Sequence, residues 1–189
     1  SEISKLYVHK CIEFGATVID NASIFRMQSD VPLIIPEVNS DALKTPGPAL
    51  IANPNCTTAQ IAVALGPIQK AFGLKRVQVT SFQAVSGRGQ KGIDEFTNQV
   101  IERAKSFENS GLKPVELKAT AFAHPIAFNC IPQIDVFNEQ GDTGEELNVV
   151  NELRKILDAP ELRVSATCVR VPVLNGHSVS LTVETEKPF

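Results

Sequence analysis

One cysteine lies where a thiol could act as a nucleophile. Cys56 stands in the segment Asn-Pro-Asn-Cys-Thr-Thr over 53–58, where a loop gives way to a predicted helix over 57–72. The first turn of a helix has backbone N–H groups without helical partners and the positive end of the helix dipole. Both would stabilise a thiolate, and the same N–H groups could hold an oxyanion. The alternative is a small buried hydrophobic residue, which is the commoner role of a cysteine.

A nucleophilic thiol needs a partner that handles protons, and His177 is the best candidate in this sequence. It lies in the short turn Asn-Gly-His-Ser over 175–178, between two predicted strands, from which the ring could reach a cleft. His9 on the first predicted helix and His124 before a proline are predicted to be structural or surface groups.

Arg170 precedes His177 by seven residues, at the end of the first of those two strands. A short turn between the strands would place both residues on one rim. The planar guanidinium could then clamp a carboxylate through two parallel hydrogen bonds. The alternative is a surface ion pair.

The other cysteines, Cys11, Cys130 and Cys168, lie in apolar stretches and are predicted to be buried hydrophobic residues. No two cysteines have a Cys-x-x-Cys spacing, and the three histidines are scattered. The sequence therefore predicts neither a metal site nor a disulfide framework, and favours free thiols in the reducing cytoplasm.

An α/β order of elements would position these residues. A helix over 1–14 ends at Gly15 and leads into a short β-branched strand over 16–20, which is an α/β signature. A short strand is predicted over 49–52. The helix over 57–72 is apolar almost all round, so it is predicted to be buried.

The second half of the chain continues in the same style. Glycines at 87, 89 and 92 predict a flexible turn, and strand character is present near 119–122. The remaining predicted elements are a strand over 75–85, helices over 94–107 and 144–157, and strands over 163–172 and 178–184.

Composition excludes several classes of protein. The 189 residues are 43% hydrophobic and 21% charged, which is not the composition of a disordered or collagen-like chain. The formal net charge of −3 gives no basic footprint for nucleic acid. No apolar run approaches the roughly 18 residues of a membrane span, and no signal peptide is predicted.

Six motifs follow one another along the chain. They are Ile-Asp-Asn-Ala-Ser…Phe-Arg-Met over 19–27, Val-Pro-Leu-Ile-Ile-Pro-Glu-Val-Asn over 31–39, Asn-Pro-Asn-Cys-Thr-Thr over 53–58, Thr-Ser-Phe-Gln-Ala-Val-Ser-Gly over 80–87, Ile-Pro-Gln-Ile-Asp over 131–135 and Arg-Val-Pro-Val…Gly-His-Ser over 170–178. Together they resemble the motifs of the aspartate-β-semialdehyde dehydrogenase family, and the 27-residue separation of Cys56 from Gln83 and the seven-residue separation of Arg170 from His177 also fit the family pattern. Cys-Thr-Thr is also similar to glyceraldehyde-3-phosphate dehydrogenase, and Asn-Pro-x-Cys to N-acetyl-glutamyl-phosphate reductase, but neither relative explains the other motifs as well.

The resemblance implies NADPH-dependent reduction of β-aspartyl phosphate to aspartate β-semialdehyde, in lysine, threonine and methionine biosynthesis. By resemblance, Cys56 is the nucleophile that forms a thioester, His177 the acid/base and Gln83 the residue that orients the acyl group. The substrate carboxylate and ammonium would be bound by Arg170 and Glu145. The remaining roles implied are the phosphate site, for Asn55 and Arg26, and the nicotinamide end of NADP(H), for Ser86, Gly87 and Gly89.

The resemblance also implies a fold: residues 1–53 as the remainder of a Rossmann-like NADP-binding domain, and residues 54–189 as an α/β catalytic and dimerisation domain with a mixed sheet and helices on one face. A homodimer or homotetramer is expected. Asn148 stands where the family often has a lysine. The absence of that positive charge would weaken phosphate binding. No Gly-x-Gly-x-x-Gly follows a strand, so these 189 residues alone are expected to bind NADPH very weakly and to lack turnover.

Two alternatives to this enzyme stay open from the sequence. One is a non-catalytic paralogue or fragment that serves subunit association, for which loss of Cys56 or His177 would be the signature. The other is a related acyl-phosphate reductase, of the N-acetyl-glutamyl-phosphate reductase type, acting on another small substrate.

Overall fold

The structure is a computed structural model that describes residues 2–43, 49–110 and 116–188. The predicted helix start at Ser1 and the start of the mixed segment from Lys113 lie outside the described residues. Helix α1 (Glu2–Glu13) ends as predicted at Gly15, which has φ +82° and donates its N–H to the Ile12 oxygen at 2.8 Å. Strands β1 (Val18–Asp20) and β2 (Leu50–Ala52) pair in parallel, and the short helix α2 (Pro36–Asn39) lies between them in sequence.

The nucleophile candidate opens helix α3 (Cys56–Phe72), which Gly73 follows. Ile61, Ala62 and Leu65 are buried, but Val63 on another face is 46% exposed. The prediction of burial all round is therefore wrong for that face, because an apolar side chain does not by itself show that a partner surface covers it.

A three-stranded sheet, in the order β4-β3-β5, is formed by β3 (Leu74–Gln83), β4 (Arg163–Arg170) and β5 (Ser178–Thr185). The Val171 N–H, just past β4, donates to the oxygen of Gln83 at the end of β3, so these two strands run parallel. The Glu186 N–H, just past β5, donates to the oxygen of Gly73 at the start of β3, so β5 runs antiparallel. The predicted α/β class with a mixed sheet is confirmed.

Two long helices complete the described elements, α4 (Gln90–Ser110) and α5 (Gly144–Ile156). The predicted flexible turn is instead a 3₁₀ helix at Val85–Arg88, and Gly92 lies inside α4. A Cβ on Gly92 would lie 2.7 Å from the Val85 oxygen, so this glycine serves close packing. The predicted strand near 119–122 is also wrong, since none of these residues lies in a strand and 120–122 form bends.

The chain divides into two compact units. The first comprises Ser1–Gln78, Leu147–Ser165 and Leu181–Phe189, and the second comprises Val79–Glu146 and Ala166–Ser180. The core of the second unit contains Val85, Ile126 and Ile131. The boundary predicted between residues 53 and 54 stays a prediction. None of the helices in the described ranges is long and apolar enough to cross a membrane.

Candidate active site

Cys56 is the first residue of α3, and its side chain is exposed. The alternative of a buried hydrophobic residue is therefore wrong. Asn55 caps the helix, since its side-chain oxygen accepts the N–H groups of Thr57 and Thr58 at 2.8 and 3.3 Å. This cap fixes the start of the helix. It also engages two of the first-turn N–H groups that an oxyanion was expected to use.

Arg26 is buried and hydrogen-bonded on three sides. Its Nε donates to the Asn53 oxygen at 2.9 Å, Nη2 to the Asn21 oxygen at 2.7 Å and Nη1 to Glu152 Oε1 at 3.0 Å. The other oxygen of Glu152 accepts the Asn55 N–H at 2.7 Å. Burial raises the pKa of Glu152, and the Asn55 N–H and the Arg26 guanidinium oppose that rise.

Sequence reasoning missed Glu152, although a signal was present. The signal is the spacing of the residues on one face of α5. The buried side chains of the helix are Glu145, Val149, Glu152, Leu153 and Ile156, which follow the 3.6-residue period. A carboxylate on that stripe must find a buried partner, and the partner is Arg26.

His177 is half-buried and accepts the Ala84 N–H at Nδ1, at 3.0 Å. An acceptor at Nδ1 assigns the proton of the neutral ring to Nε2. Burial lowers the pKa of His177, the positive charge of Arg170 lowers it further, and Glu145 opposes both. The ring is therefore poised to donate a hydrogen bond from Nε2.

Arg170, the last residue of β4, is 5% exposed, so the surface ion pair considered for it is wrong. Its Nη1 donates to the Ala84 oxygen at 2.8 Å, and its guanidinium carbon lies 5.9 Å from the centre of the Phe122 ring. Arg170 also lines a cavity of about 250 Å³ with Phe122, Gln133 and Asp135. Phe122 is a second residue that sequence reasoning missed.

Gln83 and Glu145 form a buried pair in the same unit. Gln83 ends β3, is 1% exposed, and donates from Nε2 to Glu145 Oε1 at 2.9 Å and to Ser81 Oγ at 3.2 Å. Glu145 is the second residue of α5 and is also buried. The bond fixes the orientation of the Gln83 amide, because the carboxylate must accept the N–H side.

The 3₁₀ helix at Val85–Arg88 contains Ser86 and Gly87, and Gly89 follows it with φ +72°. The Ser86 N–H donates to the Leu174 oxygen at 3.1 Å, which ties this turn to the loop before His177. A Cβ on Gly87 would lie 2.8 Å from Arg170 Nη1 and 3.0 Å from His177 Cε1. A larger residue at this position would displace the ends of these two side chains, so the glycine allows the backbone to pack closely on them.

The predicted site residues thus fall into two groups. Cys56, Asn55 and Arg26 belong to the first unit. The members of the second unit are Gln83, Ser86, Gly87, Gly89, Glu145, Arg170 and His177. Across residues 2–43, 49–110 and 116–188, no group of three metal-binding side chains is found.

The remaining cysteines and histidines differ partly from expectation. Cys168 is buried as predicted, and burial raises the pKa of its thiol to about 12, so it is a poor nucleophile. Cys11 and Cys130 are exposed, so the prediction that they are buried is wrong. His9 and His124 are exposed, as predicted for surface groups.

Comparison with known proteins identifies two family domains. The semialdehyde dehydrogenase NAD-binding domain matches residues 1–46, and the semialdehyde dehydrogenase dimerisation domain matches residues 65–189. Aspartate-semialdehyde dehydrogenase of Aquifex aeolicus is 48% identical over 185 residues, which are 97% of this chain and 52% of the relative.

Solved structures agree with the sequence comparison. Aspartate semialdehyde dehydrogenase II of Vibrio cholerae, solved in complex with ASA, matches with a TM-score of 0.92 and 43% identity, over 100% of this chain and 54% of that chain. The Candida albicans enzyme, solved with NADP, matches with a TM-score of 0.66 and 25% identity, over 99% of this chain and 49% of that chain.

This chain spans about half the length of the curated relatives it matches. Within that half, the dimerisation-domain match covers most of the chain and includes Gln83, Glu145, Arg170 and His177. Taken with the similarity to the Aquifex and Vibrio proteins, this match shows that the chain belongs to the aspartate-semialdehyde dehydrogenase family.

Proposed function

We propose that a protein carrying this chain reduces β-aspartyl phosphate to aspartate β-semialdehyde with NADPH and releases phosphate, as a step toward lysine, threonine and methionine. The observation that carries the proposal is the exposed thiol of Cys56 at the capped start of α3. The relatives named for this activity support the choice of substrate.

The first chemical step is acyl transfer to Cys56. The thiolate attacks the β-acyl carbon, the carbon–oxygen bond to phosphate breaks, phosphate leaves with the electron pair, and a thioester forms. The positive end of the helix dipole favours the thiolate before attack. Asn55 and Arg26 are the proposed phosphate-site residues, and three of the five N–H donors of Arg26 already hold protein oxygens.

Hydride transfer to the thioester carbon follows, and NADPH would supply that hydride. The close packing of Gly87 on Arg170 and His177 supports Ser86, Gly87 and Gly89 as residues at the nicotinamide end, because this backbone lies beside proposed substrate-binding side chains. Collapse of the hemithioacetal then breaks the carbon–sulfur bond and releases the aldehyde and Cys56.

His177 supplies a hydrogen-bond donor rather than a base in its resting state. With Nδ1 accepting the Ala84 N–H, the neutral ring presents Nε2–H, which can stabilise negative charge on a reacting oxygen. The lowered pKa keeps the ring neutral near neutral pH. This is the form of acid/base assistance that the structure supports best.

Substrate recognition is proposed for the buried side chains of the second unit. Arg170 would bind the α-carboxylate, and Glu145 the α-ammonium. Arg170 borders a small cavity, and Glu145 is fixed by Gln83, which would orient the acyl group. A second copy of the protein is the proposed partner, supported by the match to a dimerisation domain.

The test is phosphate-dependent reduction of NADP⁺ with aspartate semialdehyde, followed by the absorbance of the NADPH that forms. It is run on the 189-residue chain and on a longer protein that contains it. Cys56→Ala is expected to lose at least about 10³-fold in kcat, since the variant lacks the thiol proposed to form the thioester. Cys130→Ser, at another exposed cysteine, is the matched control and is expected to keep full activity.

The outcome that contradicts the proposal is activity in Cys56→Ala close to that of the parent. A burst of thiol-bound acyl product on Cys56, detected by mass spectrometry after acid quench, would identify the intermediate directly. Equal rates with N-acetyl-glutamate semialdehyde would instead assign the chain to the related reductase.

A further inference from the structure

The loop before Cys56 is held at both ends by one buried ion pair. Arg26 Nε donates to the Asn53 oxygen at 2.9 Å, and Glu152 Oε2 accepts the Asn55 N–H at 2.7 Å. The pair itself is joined by Arg26 Nη1 and Glu152 Oε1 at 3.0 Å. Arg26 thus binds the first residue of the 53–55 loop, and Glu152 binds the last.

The Arg26–Glu152 ion pair is unusually buried for two charged side chains. The side chains of Arg26 and Glu152 are 10% and 1% exposed. Removing charges from water is costly, and a pair of this kind is often matched or exceeded in stability by apolar side chains of similar volume. Overall stability is therefore a weak reason for its presence, and the geometry of the loop that it holds is a better one.

Asn55 links this pair to the thiol. Its backbone N–H is bound by Glu152, and its side chain caps α3 through the Thr57 and Thr58 N–H groups. Fixing the Asn55 backbone therefore fixes the direction of the cap, and Cys56 is the next residue. A shift of about 1 Å at a reacting group can cost up to about 100-fold in rate.

We infer that Glu152 is a positioning residue for Cys56: its carboxylate spans from the Arg26 guanidinium to the Asn55 N–H and holds the 53–55 loop, so that the thiol keeps its place at the start of α3. The inference deepens the proposed function and rests on it for the role of Cys56. It assigns Arg26 a second task beside phosphate binding.

Two substitutions separate length from charge. Glu152→Asp keeps the negative charge but shortens the side chain by one methylene, so it cannot span both partners. Glu152→Gln keeps the length and an oxygen for the Asn55 N–H but loses the charge. If position is what matters, the Asp variant is the more damaging of the two.

Reactivity is measured as the rate constant for alkylation of Cys56 by iodoacetamide, in the full chain carrying Cys11→Ser and Cys130→Ser to remove the other exposed thiols. Backbone amide exchange over 53–58 is followed by mass spectrometry. In Glu152→Asp, we expect alkylation to slow by about 10-fold and exchange over 53–58 to quicken. Glu152→Gln is expected to stay within about 3-fold of the parent.

The matched control is Arg154→Met, on the same helix. Its Nε donates to the Leu162 oxygen, far along the chain from the loop, so its loss tests general weakening of α5. It is expected to lower the melting temperature without changing Cys56 alkylation. Should Glu152→Asp fail to fold, Arg26→Lys supplies the same test from the partner side, since lysine lacks the fork that reaches both Asn53 and Glu152.

Parent-like alkylation and exchange in Glu152→Asp and in Arg26→Lys would overturn the inference, as would equal losses in Glu152→Gln and Glu152→Asp, which would show that charge alone matters. In a longer active protein carrying Glu152→Asp, the expected kinetic signature is a fall in kcat with the KM for aspartate semialdehyde unchanged, because Arg170 and Glu145, the residues proposed to bind that substrate, have no contact with the 53–55 loop among the hydrogen bonds described above. If that protein showed no Cys56-dependent activity, the proposed function would fail, while altered alkylation would still support the positioning role.

Discussion

Replacement of Arg170 by lysine tests whether a buried guanidinium or merely a positive charge is needed at the end of β4. The change keeps the charge and much of the length of the side chain. It removes the planar fork, which can bind a carboxylate through two parallel N–H donors. We expect kcat/KM for aspartate semialdehyde to fall, because a bidentate contact becomes a single one.

The magnitude follows from the contacts of Arg170. One donor, Nη1, already binds the Ala84 oxygen at 2.8 Å, and the guanidinium faces Phe122. A hydrogen bond to a charged group contributes about 1.5–3 kcal/mol, which corresponds to a loss of about 10- to 100-fold in kcat/KM. A lysine that donated to the Ala84 oxygen would have its ammonium held away from the substrate. We therefore expect the loss in kcat/KM to be at the upper end of this range.

The assay is NADP⁺ reduction at varied aspartate semialdehyde and, separately, at varied phosphate, in a longer protein that contains this chain. The KM for phosphate should stay unchanged, because Arg170 is not proposed to bind it. The matched control is Arg76→Lys, in the same sheet at an exposed arginine that pairs with Glu184. This variant should leave the KM for aspartate semialdehyde and the KM for phosphate unchanged.

Parent-like kinetics in Arg170→Lys would refute the reasoning. Such a result would show that the buried arginine supports the fold through Ala84 and Phe122 and does not bind a carboxylate. An equal loss in the two KM values would point instead to general disturbance of the site. Thermal unfolding of both variants separates these results from a loss of folded protein.

Three other predictions concern stability. Cys56→Ala should change the unfolding free energy by less than about 1 kcal/mol, measured by urea titration, because the side chain is exposed. Lys155→Met should destabilise the chain by roughly 2 kcal/mol, because Nζ donates to the oxygens of Arg26, Gln28 and Val31, and a parent-like urea midpoint would contradict this. Burial raises the pKa of Glu95, but hydrogen bonds from Thr120 and Ala121 outweigh that effect and lower the pKa overall below 4.5. The Glu95 carboxylate therefore stabilises the fold above pH 4.5, and this stabilisation is lost as the pH falls through the lowered pKa. Glu95→Gln should reduce this loss of stability in acid, measured by urea titrations at a series of pH values.

Local sequence signals predicted much of the framework, because those signals act within a few residues. Gly15 ends α1 as predicted, and α3 opens at Cys56 within one residue of the expected start. Capping by asparagine and termination by glycine are local effects, and they need no distant partner. The alternating pattern of β3 is likewise a local property of a half-buried strand.

Burial and pairing were decided by the tertiary structure. Cys11, Cys130 and Val63 have apolar side chains that the sequence predicted to be buried, and all three are exposed. The step from local pattern to burial fails because it depends on which surface is packed against the helix. Side-chain periodicity gives the direction in which a residue points and not what it meets.

The site shows the same division. Sequence named Arg26 and Asn55, but only the fold brought Glu152, from nearly a hundred residues further along the chain, onto the Asn55 N–H. In the second unit, the fold brings Ala84 to both Arg170 and His177: its oxygen accepts a hydrogen bond from Arg170, and its N–H donates one to His177. The types of residue that do chemistry, and local partners such as the N–H groups capped by Asn55, are therefore readable from the chain. Partners that lie far apart in the sequence, such as Glu152 for Asn55 and Ala84 for Arg170, are set by long-range packing.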